Sequence, residues 1–251
     1  MSRVPAVTRR TLLASSTLLA MALSESAEAQ GADRPKLRVV VAGAHPDDPE
    51  SAAGGAMARL ADLGHDVIAL YLTRGEAGIR GKSHEQAAAI RTAEAIDACR
   101  IFKATPAFAG QIDGSTQISL AHYDQFRRVL LDQKPDIVFT HWPIDTHRDH
   151  RAASVLTYDA WLASRKSFAL YYFEVMTGTQ TQCFRPSDYV DITATEPRKR
   201  EACFAHASQD PPHFYDLHAV MNQFRGMESG CKYAEAFVRQ DHNPAGPGAI
   251  P

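Results

Sequence analysis

Two short stretches carry side chains able to hold a cation and activate water. The first, Ala44-His45-Pro46-Asp47-Asp48-Pro49-Glu50, sets one imidazole and two carboxylates side by side. The second, Thr146-His147-Arg148-Asp149-His150, places two imidazoles at i and i+3 with a carboxylate between them. Eleven histidines are many for 251 residues, and His141, His147 and His150 fall within ten residues of one another. A lone histidine is more often structural than a ligand, but two such clusters argue against that bland reading. Two or three imidazoles and a carboxylate suit Zn²⁺, with three protein ligands and an open position for water. Water held there becomes acidic enough to attack a carbonyl near neutral pH.

Both stretches sit between a strand and a helix. Leu37 to Gly43 is short, apolar and β-branched, as a buried strand is, and the Ala-rich run from Pro49 to Leu63 suits a helix. Pro49 fits the first helical turn, and Gly64 fits just past the last. Asp136 to Thr140 reads as another buried strand, delivering the loop from His141 to His150, and a helix follows to about Ala163. Between them come a strand at Asp66 to Thr73, a helix opened by the capping box Ser83-His84-Glu85-Gln86 and running to about Cys99, and a weak strand at Phe102 to Ala109. A helix over Tyr123 to Gln133 completes this part. Strands alternating with helices predict an α/β, Rossmann-like three-layer fold with a mostly parallel central sheet. The carboxyl ends of the strands are where such sheets gather ligands, so the two loops can converge. Further on, Phe168 to Val175 and Tyr189 to Thr193 read as strands, Glu196 to Ser208 and Asp216 to Met227 as helices, and Ala234 to Val238 as a late edge strand.

Composition narrows the class. A hydrophobic content of 45% with 22% charged residues fits one globular domain, and a formal net charge of −2 gives no electrostatic case for nucleic acid or an anionic membrane surface. Residues 1–29 read as an export signal: Arg9-Arg10 precede a short apolar core, and Ala27-Glu28-Ala29 is an A-x-A cleavage site. The paired arginines suggest the twin-arginine route and a periplasmic or secreted product. The apolar core is too short for a comfortable membrane span, so no stable span is expected after cleavage. Residues 30–36 then form a linker, 37–242 the domain, and 243–251 a Pro/Gly-rich tail expected to be disordered. The cysteines at 99, 183, 203 and 231 include no C-x-x-C, which argues against a cysteine zinc site.

With these residues in view, the chain resembles the LmbE-like/PIG-L family of zinc-dependent N-acetyl deacetylases. The resemblance rests on Ala-His-Pro-Asp-Asp (44–48) and His-Arg-Asp-His (147–150). Thr73-Arg74-Gly75-Glu76-Ala77-Gly78, Arg91 with Glu94, Val190 to Thr193, Ser208-Gln209 and Ala234 to Phe237 agree more weakly. It implies that His45, Asp48 and His150 are metal ligands and Asp47 the general base for the metal's water. His147 would stabilise the oxyanion or donate a proton. Many relatives carry Glu where this chain has Pro49, so any role of that residue would pass to Glu50. Zn²⁺, or another divalent transition metal, is the implied cofactor, and a small-molecule or glycan N-acetyl amino sugar the implied substrate.

The remaining candidates divide between substrate contact and structure. Glu76, Arg74 and Arg91 are candidate substrate contacts, with solvated loop charge or an Arg91–Glu94 ion pair as the structural readings. Asp149 could orient a ligand from behind or simply serve as an acid at a helix start. A nearby cation is expected to lower the pKa of Asp47 and keep it ionised. Trp142 could stack on a sugar ring, and His206, His213 and His218 read as structural or exposed. An amidase for a larger N-acyl or sugar–amino-acid amide, and a non-catalytic sugar binder, are the alternative functions. Dinucleotide binding is disfavoured, since no G-x-G-x-x-G follows the first strand.

Overall fold

The computed structural model describes residues 35–243. Contacts divide the chain into residues 1–36 and 37–251, and the fold below is that of the second unit. The expected export signal, nearly all of the linker and the tail beyond Asn243 lie outside the described residues.

Seven strands form one sheet: Arg38–Gly43 (β1), Asp66–Tyr71 (β2), Thr105–Phe108 (β3), Ile137–His141 (β4), Ala169–Phe173 (β5), Asp188–Asp191 (β6) and Ala234–Arg239 (β7). Their order is β3-β2-β1-β4-β5-β7-β6. The first five run parallel, whereas β7 is antiparallel to both β5 and β6. The helices are Asp48–Asp62 (α1), His84–Phe102 (α2), Leu120–Asp132 (α3), Arg148–Ala163 (α4), Glu196–Ala205 (α5) and Pro211–Ser229 (α6), with a 3₁₀ turn at Ala207–Gln209.

The alternation of side chains along β1 explains the layers. Val39 and Val41 belong to one buried cluster with Met57, Ala95, Phe102 and Ala202 from α1, α2 and α5. Val40 and Ala42 belong to the other, with Phe126, Leu130, Ala153 and Trp161 from α3 and α4. A sheet apolar on both faces must be covered on both, and it is. No helix among the described residues is long and apolar enough to cross a membrane.

Two sequence expectations need correcting. Ala234 to Val238 is not an edge strand: β7 is interior, because the short, half-exposed β6 pairs outside it. Short strands with charged ends are suited to sheet edges. The helix expected to start at Asp216 begins at Pro211, where prolines occupy the first turn at no hydrogen-bonding cost. The Ser83 capping box is present as expected, with Gln86 N–H donating to Ser83 Oγ (3.2 Å) and Ser83 N–H to Gln86 Oε1 (3.1 Å).

Helix α1 carries the first loop and is unusually constrained. Its backbone leaves helical geometry at Ala53 (φ −136°, ψ 15°). Past this break, Gly55 and Ala56 donate their N–H groups to the Glu235 carboxylate on β7, at 2.9 and 2.7 Å. Glu235 is buried and balanced by Lys199 Nζ at 2.7 Å, which also reaches Asn222 Oδ1 at 3.1 Å. At its other end α1 abuts β1: a Cβ on Gly43 would lie 2.7 Å from Pro49 Cδ and 2.8 Å from Asp48 Cβ. Gly43→Ala is therefore expected to destabilise the protein by about 1–3 kcal/mol, the usual cost of overpacking. Thermal unfolding checks it, since each kcal/mol should lower Tm by about 2–4 °C in a domain of this size.

Candidate metal centre

Loops after β1, β3 and β4 meet over the carboxyl edge of the sheet, in a cleft of about 670 Å³. The β1 loop turns tightly: Asp48 N–H donates to the His45 carbonyl (3.2 Å), and His45 N–H donates to Asp48 Oδ2 (2.7 Å). Asp48 is the hub. Its Oδ1 lies 3.2 Å from His150 Nε2, and its Oδ2 lies 3.3 Å from His45 Nδ1 and 3.2 Å from His141 Nε2. Four imidazoles crowd this point, with His147 4.7 Å from both His45 and His150 between ring centroids.

Behind the imidazoles stand carboxylates. His45 Nε2 is 3.3 Å from both Asp113 Oδ1 and Asp149 Oδ2. His150 Nδ1 is 3.3 Å from Asp145 Oδ1. Asp149 is itself fixed by Thr116 Oγ1 (2.6 Å) and Gly114 N–H (2.8 Å), so it holds the His45 ring from behind. Asp145 accepts from His147 N–H (2.7 Å) and from Thr181 Oγ1 (3.0 Å). An imidazole with one nitrogen toward a shared hub and the other on a carboxylate is the usual arrangement of a metal-ligating histidine.

This donor set fits a divalent cation. Among the described residues, ligand atoms lie within 4.8 Å of one another in three groups: His45, His147 and His150; Asp48, His141 and His150; and His45, Asp113 and Asp149. The sequence-implied ligands His45, Asp48 and His150 are spread over these groups and meet at Asp48. His141 is placed differently, because its Nε2 already accepts the Ala44 N–H at 3.0 Å. The lone pair a metal would need there is engaged.

Charge follows from these contacts. Burial alone would lower the His45 and His150 imidazoles, but the carboxylates of Asp113, Asp149 and Asp48 hold His45 well above its usual value, and Asp48 and Asp145 raise His150 to about 9. Burial opposes ionisation of Asp48, yet His150 and His141 hold it well below the usual carboxylate range. Burial and the neighbouring His150 lower His141 to about 4. His147 is also lowered, by burial and by His45 and His150. Its Nδ1 accepts the Asp149 N–H at 3.2 Å, which leaves the proton on Nε2.

Asp47 lies beside this cluster and lines the cleft, with its side chain 34% exposed. Its φ of 109° is rare for any residue but glycine and costs about 1–3 kcal/mol. Asp47 N–H donates to Glu50 Oε2 (3.2 Å), and Arg91 Nη2 donates to Asp47 Oδ2 (2.7 Å) and to the Pro46 carbonyl. Enclosure in the cleft raises the Asp47 carboxyl above its usual value, with Arg91 pulling it back. This is the direction in the absence of a bound cation, with desolvation by the cleft walls outweighing the Arg91 charge. Glu50 is fully buried, accepting from Tyr71 Oη at 2.5 Å with His206 Nε2 3.2 Å away.

The weaker candidates separate. Glu76 is buried, and its Oε2 accepts the N–H groups of Arg74 (3.1 Å) and Asp113 (3.0 Å), so it fastens two loops together. Arg74 points outward to Thr92 Oγ1 (2.9 Å). Arg91 does not pair with Glu94, whose carboxylate accepts from Ser208 N–H (2.8 Å) and Oγ (2.7 Å). Trp142 lies off the cleft, its Nε1 donating to the Gln182 carbonyl (3.1 Å). His206 and His218 line the cleft, whereas His213 is exposed. Sequence reading passed over Asp113 and Asp145. The signal for Asp113 was its position after a strand, but β3 is only four residues long and contains Pro106.

The family model described as "PIG-L: GlcNAc-PI de-N-acetylase" matches residues 40–161, which include both loops. A conserved protein from Thermus thermophilus is 29% identical, with a TM-score of 0.73 over 85% of this chain and 99% of its own. N,N′-diacetylchitobiose deacetylase from Pyrococcus horikoshii is 23% identical, with a TM-score of 0.72 over 82% of this chain and 86% of its own. The 4-carboxy-2-hydroxymuconate hydratase of Pseudomonas putida is 22% identical, with a TM-score of 0.73 over 84% of this chain and 99% of its own. These two enzymes share the fold with this chain and are named for different reactions.

Proposed function

From a chain whose residues 40–161 match the PIG-L family model, we propose a metal-dependent hydrolase that removes acetate from an N-acetylated amino sugar or its conjugate. The observation that carries this reading is the Asp48 hub, its imidazoles backed by carboxylates, with Asp47 beside it in the cleft. His45, Asp48 and His150 would hold the cation, with Zn²⁺ the best match to this nitrogen and oxygen set. When bound, the metal supplies a Lewis acid that acidifies water and polarises the amide carbonyl.

The chain's own groups do the rest. Asp47 accepts the proton of the attacking water; the cleft raises its carboxyl above the usual value, which makes the carboxylate a stronger proton acceptor. His147, neutral with its proton on Nε2, donates to the carbonyl oxygen as negative charge develops. Asp47 then passes the proton to the departing amine, so water and amide become acetate and free amine. The diacetylchitobiose deacetylase shares the fold, which supports a sugar amide as substrate. Because a hydratase shares it too, the test must read the products. The Zn²⁺-loaded protein should release acetate and amine in equal amounts from N-acetylglucosamine, its oligomers or cell-wall fragments. Turnover of none of these would sink the reading, and a preference for longer acyl groups would turn it into an amidase. We further place the protein outside the cytoplasm, on the strength of residues 1–29. Recovery of full-length protein only from the cytoplasmic fraction would count against that.

A further inference from the structure

We propose that Arg91 is a positioning residue for Asp47, and that Gly75 and Gly78 exist to seat its guanidinium. The inference rests on Asp47 being the proton acceptor. Arg91 is 3% exposed and reaches the β1 loop from α2, forty-four residues later in the chain. One of its nitrogens, Nη2, donates to both the Pro46 carbonyl and Asp47 Oδ2, the two oxygens flanking the left-handed turn at Asp47. From the other side, Glu50 Oε2 takes the Asp47 N–H, and Glu50 is held by Tyr71. A conformation that a non-glycine residue rarely adopts is thus fixed at its preceding carbonyl, its N–H and its carboxylate, which aims the acid into the cleft.

The seat for Arg91 is made by absent side chains. A Cβ on Gly75 would stand 2.5 Å from Arg91 Cδ, and one on Gly78 would stand 2.4 Å from Nη1. Gln209 Nε2 donates to the Gly78 carbonyl at 3.2 Å and closes the seat from the 3₁₀ turn. Arg91 Nε is buried with no hydrogen-bond partner among the described residues, so packing and the Nη2 contacts alone hold the group in place. A lysine could keep the charge and offer one nitrogen to both oxygens, but it lacks the flat guanidinium that Gly75 and Gly78 make room for.

Gly78→Ala and Arg91→Gln should each lower kcat about 100-fold, the scale of a misplaced reacting group, with KM and bound metal unchanged. Arg91→Lys should recover part of that loss. In the Asp47→Asn background, Arg91→Gln should cost nothing further, because a residue acting through another is silent once that partner is gone. If Arg91→Gln fails to fold, Gly78→Ala carries the test, since it leaves every charge in place. A raised KM with unchanged kcat would make Arg91 a substrate contact and overturn the proposal, as would full additivity with Asp47→Asn. Full activity in Asp47→Asn alone would remove the base assignment and this inference with it, an outcome visible in the single variant.

Discussion

Asp47→Asn is expected to lower kcat for acetate release by about 10²–10⁴-fold, the range for loss of a general acid–base group. Asparagine keeps the size of the side chain and an oxygen for Arg91 Nη2, which donates to Asp47 Oδ2 at 2.7 Å, but it cannot accept a proton at the working pH. Asp47 is not among the metal-holding groups, so bound zinc and substrate affinity should stay near those of the parent. A variant that loses its metal together with its activity would show instead that residue 47 shapes the ligand cluster. Full activity with metal retained would exclude Asp47 as the base. In the parent, activity should fall on the acid side as Asp47 protonates, which a rate profile against pH checks.

Chelation should abolish turnover, and reloading with Zn²⁺ should restore it while expelling protons. In the metal-free protein His45 is held well above its usual value and His150 near 9, so His150 is protonated at pH 7. Ligation needs the neutral form, so at least about one proton leaves per cation bound. The sign follows: affinity rises with pH until His150 titrates near 9, and falls by up to about tenfold per proton for each unit of acidification below that. Stability of the metal-free protein runs the other way. A raised imidazole stabilises fully below its unfolded value of 6.5, and that contribution is lost as pH climbs through the folded value. Calorimetry in buffers of different ionisation enthalpy counts the protons. Zero release at pH 7 would rule out His150 as a ligand.

The frame of the site was readable in the residues because each part left a local mark. β-branched runs, a capping box and two His/Asp loops depend on neighbours in sequence, and the parallel sheet and the joined loops follow from them. What escaped depends on distance. Asp113 sits after a strand too short and too proline-broken to read, though it backs His45 at 3.3 Å. In sequence Arg91 suits a substrate contact or a partner for Glu94 three residues on, but α2 turns the two toward different elements, Asp47 and Ser208. His206 looked idle until the fold laid it against Glu50, itself silent in sequence except as a neighbour of Pro49. The interior placement of β7 was invisible for the same reason: edge or interior is decided by which other strand arrives.

The anchoring of α1 gives the molecule an order of assembly. The helix that opens with Asp48 is completed past its break by Glu235, 180 residues downstream of Gly55, and by Lys199 beneath it. Both lie beyond the stretch matched by the family, 40–161. Contacts of such long sequence separation are slow to form, because the loop between them must close first. The two His/Asp loops are thus synthesised well before the anchor of the helix that one of them opens. Until β7 docks, the stretch of α1 past its break has no carboxylate to take the Gly55 and Ala56 N–H groups.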